Sequence, residues 1–454
     1  MSDSLISVLA LIVTLGVLIT VHEFGHFWVA RRLGVKVLKF SIGFGRPLWR
    51  RRGRDGTEYV IAALPLGGYV KMLDEREGEV PPNEAHRAFD RQPTGSRIAI
   101  VLAGPLCNFL FAILVYSLMF MIGIPGAKPL LDDPTPGSLA AAGGFGKDDL
   151  VVAIDGKPTP TLSAVMLELV DRAMTGEVIR IKVMDAENRM RIRTLDLRNA
   201  PDLSDAAQVF SQVGLKLWQP VLPAVIGQIA RGGAAERAGL QPGDNIVLAE
   251  GERVKDWQHW RSIIEQRPGK PFSVRIERDG VEQVLEVIPD LRENARGAQV
   301  GFIGAIADVP DDLAQSLQVV VRYGPLDAVG AAFGKTWDMS LLTLRMLGRM
   351  LIGKASLDNL SGPLTIAQFA GQAANAGPMA FLSLLALISI SLGVLNLLPV
   401  PVLDGGHLLY YLIELLKGSP LSEAVQNVGQ RVGMVVLLLL MGLALFNDFN
   451  RLLG

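Results

Sequence analysis

The chain has 454 residues, half of them hydrophobic, with a mean hydropathy of +0.33 and a formal net charge of −1. That hydropathy is too high for an ordinary soluble protein and too low for a wholly embedded one, so part membrane and part soluble domain is the natural reading. The balanced charge gives no case for a nucleic-acid partner, and a single cysteine, Cys107, excludes an intramolecular disulfide.

The first element is an apolar stretch from Leu5 to about Ala30, with no charged residue between Ser4 and Val21. Its length predicts a membrane-spanning helix. The Met-Ser-Asp-Ser start lacks the basic region of a signal peptide, so the segment is expected to be retained. Inside it stands His22-Glu23-Phe24-Gly25-His26. Residues four apart on a helix lie about 40° apart around the axis, so both imidazoles can share one metal ion. In this HExxH spacing the carboxylate is not a ligand; Glu23 is placed to act as general base on the attacking water. Ionisable residues at membrane depth face a cavity or a partner rather than lipid.

Residues 31–97 hold fourteen Lys and Arg, including Arg50-Arg51-Arg52, and none precedes Arg31. Basic loops stay in the cytoplasm, which puts the N-terminus outside and His22 in the inner half of the bilayer. Two β-prone runs within residues 57–72, around Pro65-Leu66-Gly67-Gly68, read as a hairpin preceded by Gly43-Phe44-Gly45. Their apolar character suggests that the hairpin dips into the membrane face.

A second charge-free span runs from Ile98 to Ile124. Beyond it lies an internal repeat. Gly137 to Gly144 and Asp149 to Gly156 recur ninety-five residues later as Gly232 to Gly239 and Asp244 to Gly251. Each copy reads as a short helix, a turn, a strand and a second turn, followed by a helical stretch and further strands. Both copies resemble PDZ domains, which take a peptide as an added strand. The stretch Leu326–Ile352 has apolar residues at helical spacing with charges between them, and fits a helix on the outer membrane surface or a soluble one packed on the repeat. A third span, Met379–Leu395, lies in the charge-free run 359–403, and a fourth, Val425–Phe446, completes the set. Asp404 ends that run behind Pro399 and Pro401 and before Gly405-Gly406. The prolines break helix geometry and the glycines permit close approach, which suits a carboxylate presented as third metal ligand.

His22 to His26, Gly104-Pro105-Leu106-Cys107-Asn108 and Asn396 through Gly405 together resemble the HExxH, GPxxN and NxxPxPxLDG motifs of the site-2 protease family of intramembrane zinc metalloproteases. The order of parts resembles the bacterial branch with tandem periplasmic PDZ domains. The resemblance implies a polytopic α-helical membrane protein of about four transmembrane helices, with two inserted PDZ (α+β) domains and a membrane-associated β-hairpin. It implies Zn2+ on His22, His26 and Asp404, Glu23 as base, and pairing of the 57–72 hairpin with the unwound substrate, with contacts from Asn396, Gly43, Gly45, Ile61 and Ala62; Asn108 would contact the active-site region or pack the helices. Residues 1–126 would carry the first two spans, 127–220 and 221–308 the PDZ domains, 309–375 a periplasmic amphipathic helical segment, and 376–454 the last two spans. Implied substrates are single-pass membrane proteins, an anti-sigma factor or remnant signal peptides, with a substrate's periplasmic region or a peptide at the PDZ grooves. The implied location is a bacterial inner membrane with both termini periplasmic. A membrane metal transporter is the rival, but there is no His-rich loop or second buried acidic cluster. An inactive PDZ scaffold is the other, and the intact HExxH with Asp404 speaks against it.

Overall fold

The computed structural model describes residues 3–198, 209–293, 298–352 and 362–453; the first three residues of the run 359–403 lie outside it. The chain divides into two compact units, residues 1–124 with 320–454, and residues 125–319.

The first unit runs α1 (Asp3–Arg32), β1 (Val37–Arg52), β2 (Glu58–Met72) and α2 (Thr94–Ile122). After the inserted unit come α3 (Pro325–Leu351), α4 (Pro363–Ala376), α5 (Pro378–Leu397), α6 (Asp404–Lys417) and α7 (Glu423–Leu453). Four stretches, Leu5–Arg32, Thr94–Ile122, Pro378–Leu397 and Glu423–Asn450, are long and apolar enough to cross a membrane. At ~1.5 Å per residue the 28 residues of the first exceed the ~30 Å hydrocarbon layer. Arg31 and Arg32 close α1, where cations suit the helix C-terminus.

α2, α3 and α5 share one apolar core that includes Ala112, Tyr116, Met119, Ala328, Ala332, Ala386 and Ile390. The helix expected at the outer surface or on the repeat, α3, therefore packs on membrane helices. Small residues bring these backbones close, the packing that membranes favour. Asp448 of α7 is buried and caps the start of α4, accepting from the backbone N–H groups of Gly362 (2.9 Å), Leu364 (2.9 Å) and Thr365 (3.3 Å). Those donors have no partner within their own helix, so a carboxylate 86 positions away from Gly362 ties the last span to α4.

β1 and β2 are both bent, so the pair forms four rows rather than a simple hairpin. Lys39–Ile42 lie between two parts of β2: Glu58–Ile61 on one side, rising together, and Gly68–Lys71 on the other, antiparallel. Pro47–Arg52 pair with Glu58–Ala62 and form the outer edge. The turn joining the strands is at Gly53–Gly56, not at Pro65–Gly68 as the sequence suggested. Asp55 accepts there from the Thr57 hydroxyl at 2.8 Å, and Gly56 takes φ +86°.

The second unit holds two α+β modules, each with its own core, one spanning Leu131 to Leu215 and the other Ala224 to Ile303. Their four-stranded sheets share one order: Lys157–Pro158, Leu150–Ile154, Val178–Met184, Met190–Asp196 in the first, and Glu252–Arg253, Asn245–Ala249, Phe272–Arg278, Val281–Val287 in the second. The longest helix of each module is Leu162–Thr175 in the first and Trp257–Glu265 in the second. Asp149 and Asp244, ninety-five positions apart, are both buried and both gripped by arginine, Arg193 and Arg278. Asp148 takes the positive φ that Gly243 takes in the second copy, which accounts for the weaker motif of the first.

Candidate active site

α1 places both imidazoles of the HExxH on one face, their Nε2 atoms 3.2 Å apart. α5 ends at Leu397, and after the proline-bearing turn Asp404 opens α6. Its Oδ2 stands 3.1 Å from His22 Nε2 and 3.4 Å from His26 Nε2. That oxygen is buried and receives no hydrogen bond. A tetrahedral ion with bonds of about 2.0–2.1 Å has ligand atoms about 3.3–3.4 Å apart, so the three atoms form a face that fits zinc and leave one position open.

The far nitrogens bear on this fit. His26 Nδ1 lies 2.8 Å from the Ile100 carbonyl oxygen. A carbonyl only accepts, so in the neutral ring Nδ1 carries the proton and Nε2 keeps its lone pair. His22 Nδ1 lies 3.2 Å from the amide of Asn108, which is fully buried. Asn108 Oδ1 otherwise has no partner. With the amide turned so that Oδ1 faces Nδ1–H, that oxygen gains a donor and His22 also keeps its Nε2 lone pair. Asn108 therefore touches the histidine and is not among the residues lining the neighbouring cavity.

A cavity of about 350 Å³ opens beside the three residues, lined by Glu23, Gly68, Tyr69, Val70, Met72, Asp74, Arg76, His407 and Tyr411 among others. Gly68 sits against α1 so closely that a Cβ there would stand 2.7 Å from Ile19 and 3.1 Å from Glu23. On its loop-side rim, burial raises the Asp74 carboxyl, but hydrogen bonds from Arg76 outweigh this and hold it below the usual carboxylate range.

The structure thus brings together His22, Glu23, His26 and Asp404. It does not bring Gly43, Gly45, Ile61, Ala62 or Asn396 to the cavity lining. Ile61 lies between Ile42 and Trp49 on neighbouring rows, so its strand is paired on both sides. An inner strand has no free backbone groups for a substrate, whereas Gly68–Met72 is an edge and faces Glu23. This edge lies within the 57–72 run that the resemblance assigns to substrate pairing; Gly104, quoted in its motif without a role, is the residue the sequence reading missed. A Cβ at Gly104 would stand 2.2 Å from His26 Nε2.

The model of peptidase family M50 matches residues 10–440. The chain belongs to peptidase family M50. The regulator of sigma-E protease RseP of Escherichia coli K12 is 46% identical over 445 residues, covering 97% of this chain and 98% of that protein. The regulator of sigma-E protease RseP of Salmonella typhimurium is 46% identical over 443 residues, 98% of each chain. A Vibrio cholerae protein whose name carries the words zinc metalloprotease is 43% identical over 456 residues, 100% of each. The motifs that carried the resemblance to site-2 proteases lie inside the matched range of this M50 chain.

Proposed function

We propose that this M50 chain is an intramembrane zinc endopeptidase that cuts single-pass membrane proteins, an anti-sigma factor in the envelope stress response foremost, with remnant signal peptides as a second class. The observation that carries this reading is the His22–His26–Asp404 face beside Glu23, built on helices fit to cross a membrane. The sigma-E name of its relatives supports the substrate class. His22, His26 and Asp404 would hold the ion, which when bound supplies Lewis acidity to a water and to the scissile carbonyl. Glu23 takes the proton of the attacking water and returns it to the leaving amine. Asn396, by its likeness to the family motif, is assigned to the substrate backbone.

A membrane helix keeps its peptide groups hydrogen-bonded to one another, so a substrate must unwind to be cut. Each freed group costs free energy unless a partner takes it, and the Gly68–Met72 edge offers such partners. Leu73 donates its N–H inward to the Lys36 carbonyl oxygen at 2.9 Å, so Met72, one residue before it, turns its own outward. Proline is tolerated at an edge with an outward N–H. Met72→Pro is therefore expected to slow cleavage at least ~10-fold with zinc content unchanged. A helix-breaking glycine near the scissile bond should restore part of the rate, and an unchanged rate in the variant would remove the edge from substrate binding. Proline at Ile61 or Ala62 would break the inner ladder and report on folding instead.

We assign the two repeat modules, residues 127–220 and 221–308, to periplasmic PDZ domains that bind a substrate's outer region or a peptide. In the second, a groove of about 1030 Å³ lies between the helix Trp257–Glu265 and the strand Ala305–Ala307. That strand pairs with Ile226–Ile229 on one side only. The assigned setting is a bacterial inner membrane, with both termini periplasmic and residues 31–97 cytoplasmic. The functional reading is tested by incubating the purified chain in vesicles with a single-span substrate and sequencing the products. A new N-terminus inside the span is expected; cleavage only outside it would overturn the intramembrane assignment.

A further inference from the structure

We propose that the outer edge row of the β1–β2 sheet is a docking surface for anionic phospholipid headgroups, which hold the sheet in place beside α1. Four observations lead there. The row Pro47–Arg52 pairs on one side only, with Glu58–Ala62, and every residue from Phe44 to Arg52 is exposed. It carries bulky apolar side chains in the open, Leu48 at 71% and Trp49 at 48%, beside Ile61 and Leu64. It also carries cations: Arg50, Arg51, Arg52 and, in the turn, Arg54 are all exposed. Among the described residues none of the four forms an ion pair; the one hydrogen bond is from Arg52 Nε to the Gly56 carbonyl oxygen at 3.3 Å. The nearby Asp55 is engaged elsewhere, by Arg31 at 3.2 Å and by Thr57.

Depth gives these observations a single meaning. The Arg31–Asp55 pair sets the Gly53–Gly56 turn level with the charged end of α1. Gly68, at the far end of the sheet, lies against Ile19 and Glu23. Arg31 and Ile19 are twelve residues apart, or ~18 Å along a helix. The sheet therefore runs along α1 from the headgroup level toward the hydrocarbon, with Phe44 against Gly67 at the deep end and the arginines beside the turn. Arg46, nearer the deep end, has a stem long enough to bring its charge back toward the surface. A strand with apolar side chains below and unpaired guanidiniums above matches a lipid leaflet in polarity. The planar fork of arginine suits phosphate oxygens in a bidentate way that a neutral headgroup surface does not reward with net charge. Each arginine near an anionic leaflet contributes roughly a fivefold gain in affinity. Since Lys39–Ile42 lie between this edge row's partner and Gly68–Met72, holding the outer row also steadies the opposite edge, which faces Glu23.

This proposal concerns binding and does not depend on the chemistry at Glu23, so its first readout is fluorescence. The full chain is reconstituted in phosphatidylcholine vesicles containing one-third phosphatidylglycerol, with the bromine quencher placed on one lipid class at a time. The signal of Trp49 is isolated as the difference between the wild type and Trp49→Phe. Brominated phosphatidylglycerol is expected to quench Trp49 more than brominated phosphatidylcholine at the same mole fraction. The excess should vanish in the variant with Arg50, Arg51, Arg52 and Arg54 all changed to Gln, and at high salt. Equal quenching by both lipids, or an excess that survives the four substitutions, overturns the proposal. Cleavage of a single-span substrate in vesicles with and without phosphatidylglycerol is the second readout. The wild type should gain at least ~5-fold from the anionic lipid, and the four-fold variant nothing. If the variant instead loses rate equally in both lipids, and neutralising acidic residues of the substrate removes the difference, the row binds substrate and the lipid proposal is wrong.

Discussion

Glu23→Gln is expected to keep the zinc and lose the reaction. Glu23 lies between the two histidines in sequence and lines the same cavity, next to the strand edge at Gly68. It is not one of the three converging donors, so its replacement removes no ligand. Glutamine has nearly the same volume and can still donate and accept hydrogen bonds, but its amide cannot take a proton from water. Loss of a positioned general base costs at least ~10²-fold in rate. The check is kcat on a single-span substrate alongside the zinc content of the same preparation. A variant that turns over within a few-fold of wild type would assign the base elsewhere. A variant that loses zinc in step with activity would make Glu23 a ligand.

Gly104→Ala should act by the opposite route and remove the ion. A methyl group there would meet His26 Nε2 at 2.2 Å and His22 Cε1 at 2.9 Å. The His26 ring cannot simply turn away, because its Nδ1 is anchored 2.8 Å from the Ile100 carbonyl one helical turn earlier on α2. Displacing a reacting or ligating group by ~1 Å costs about 10²-fold, and here two ligands must move. Zinc affinity by competition with a chelator is expected to fall at least ~100-fold, with cleavage falling in parallel. The helix itself should not suffer, since alanine is the better helix former by ~1 kcal/mol. Gly16→Ala is the control on α1, where a Cβ meets nothing within 4 Å. If Gly104→Ala binds zinc as wild type does, the crossing of α1 and α2 is looser than described.

What the sequence made legible was chemistry set against an apolar background. His22, Glu23 and His26 stand out because nothing else ionisable lies between Ser4 and Ala30, and Asp404 because it ends a long run without charge. The repeat was legible because turns constrain residue type: Asp149 and Asp244 recur at one spacing and do the same work in each module. The sheet was not legible in the same way. Residues 57–72 look like two strands around Pro-Leu-Gly-Gly, yet the reversal comes at Arg-Gly-Arg-Asp-Gly, where Asp-Gly is itself a turn signal. Which row ends up at an edge is decided by how two bent strands interleave, and that is a tertiary outcome with no local code. Ile61 and Gly68 are both β-compatible positions; only the packing of Gly68 on Ile19 and Glu23 separates the inner row from the one facing the cavity.

In the proposed function, zinc on His22, His26 and Asp404 drives cleavage of a membrane-spanning peptide. The most direct measurement is cleavage of a single-span substrate by the purified chain after chelation, followed by titration with zinc, for the wild type and Asp404→Asn side by side. No cleavage is expected in the chelated protein, full recovery at one equivalent of zinc in the wild type, and little recovery in the variant, whose neutral amide is a poorer ligand. Cleavage that survives complete removal of the metal, or an Asp404→Asn variant restored by one equivalent as the wild type is, would contradict it.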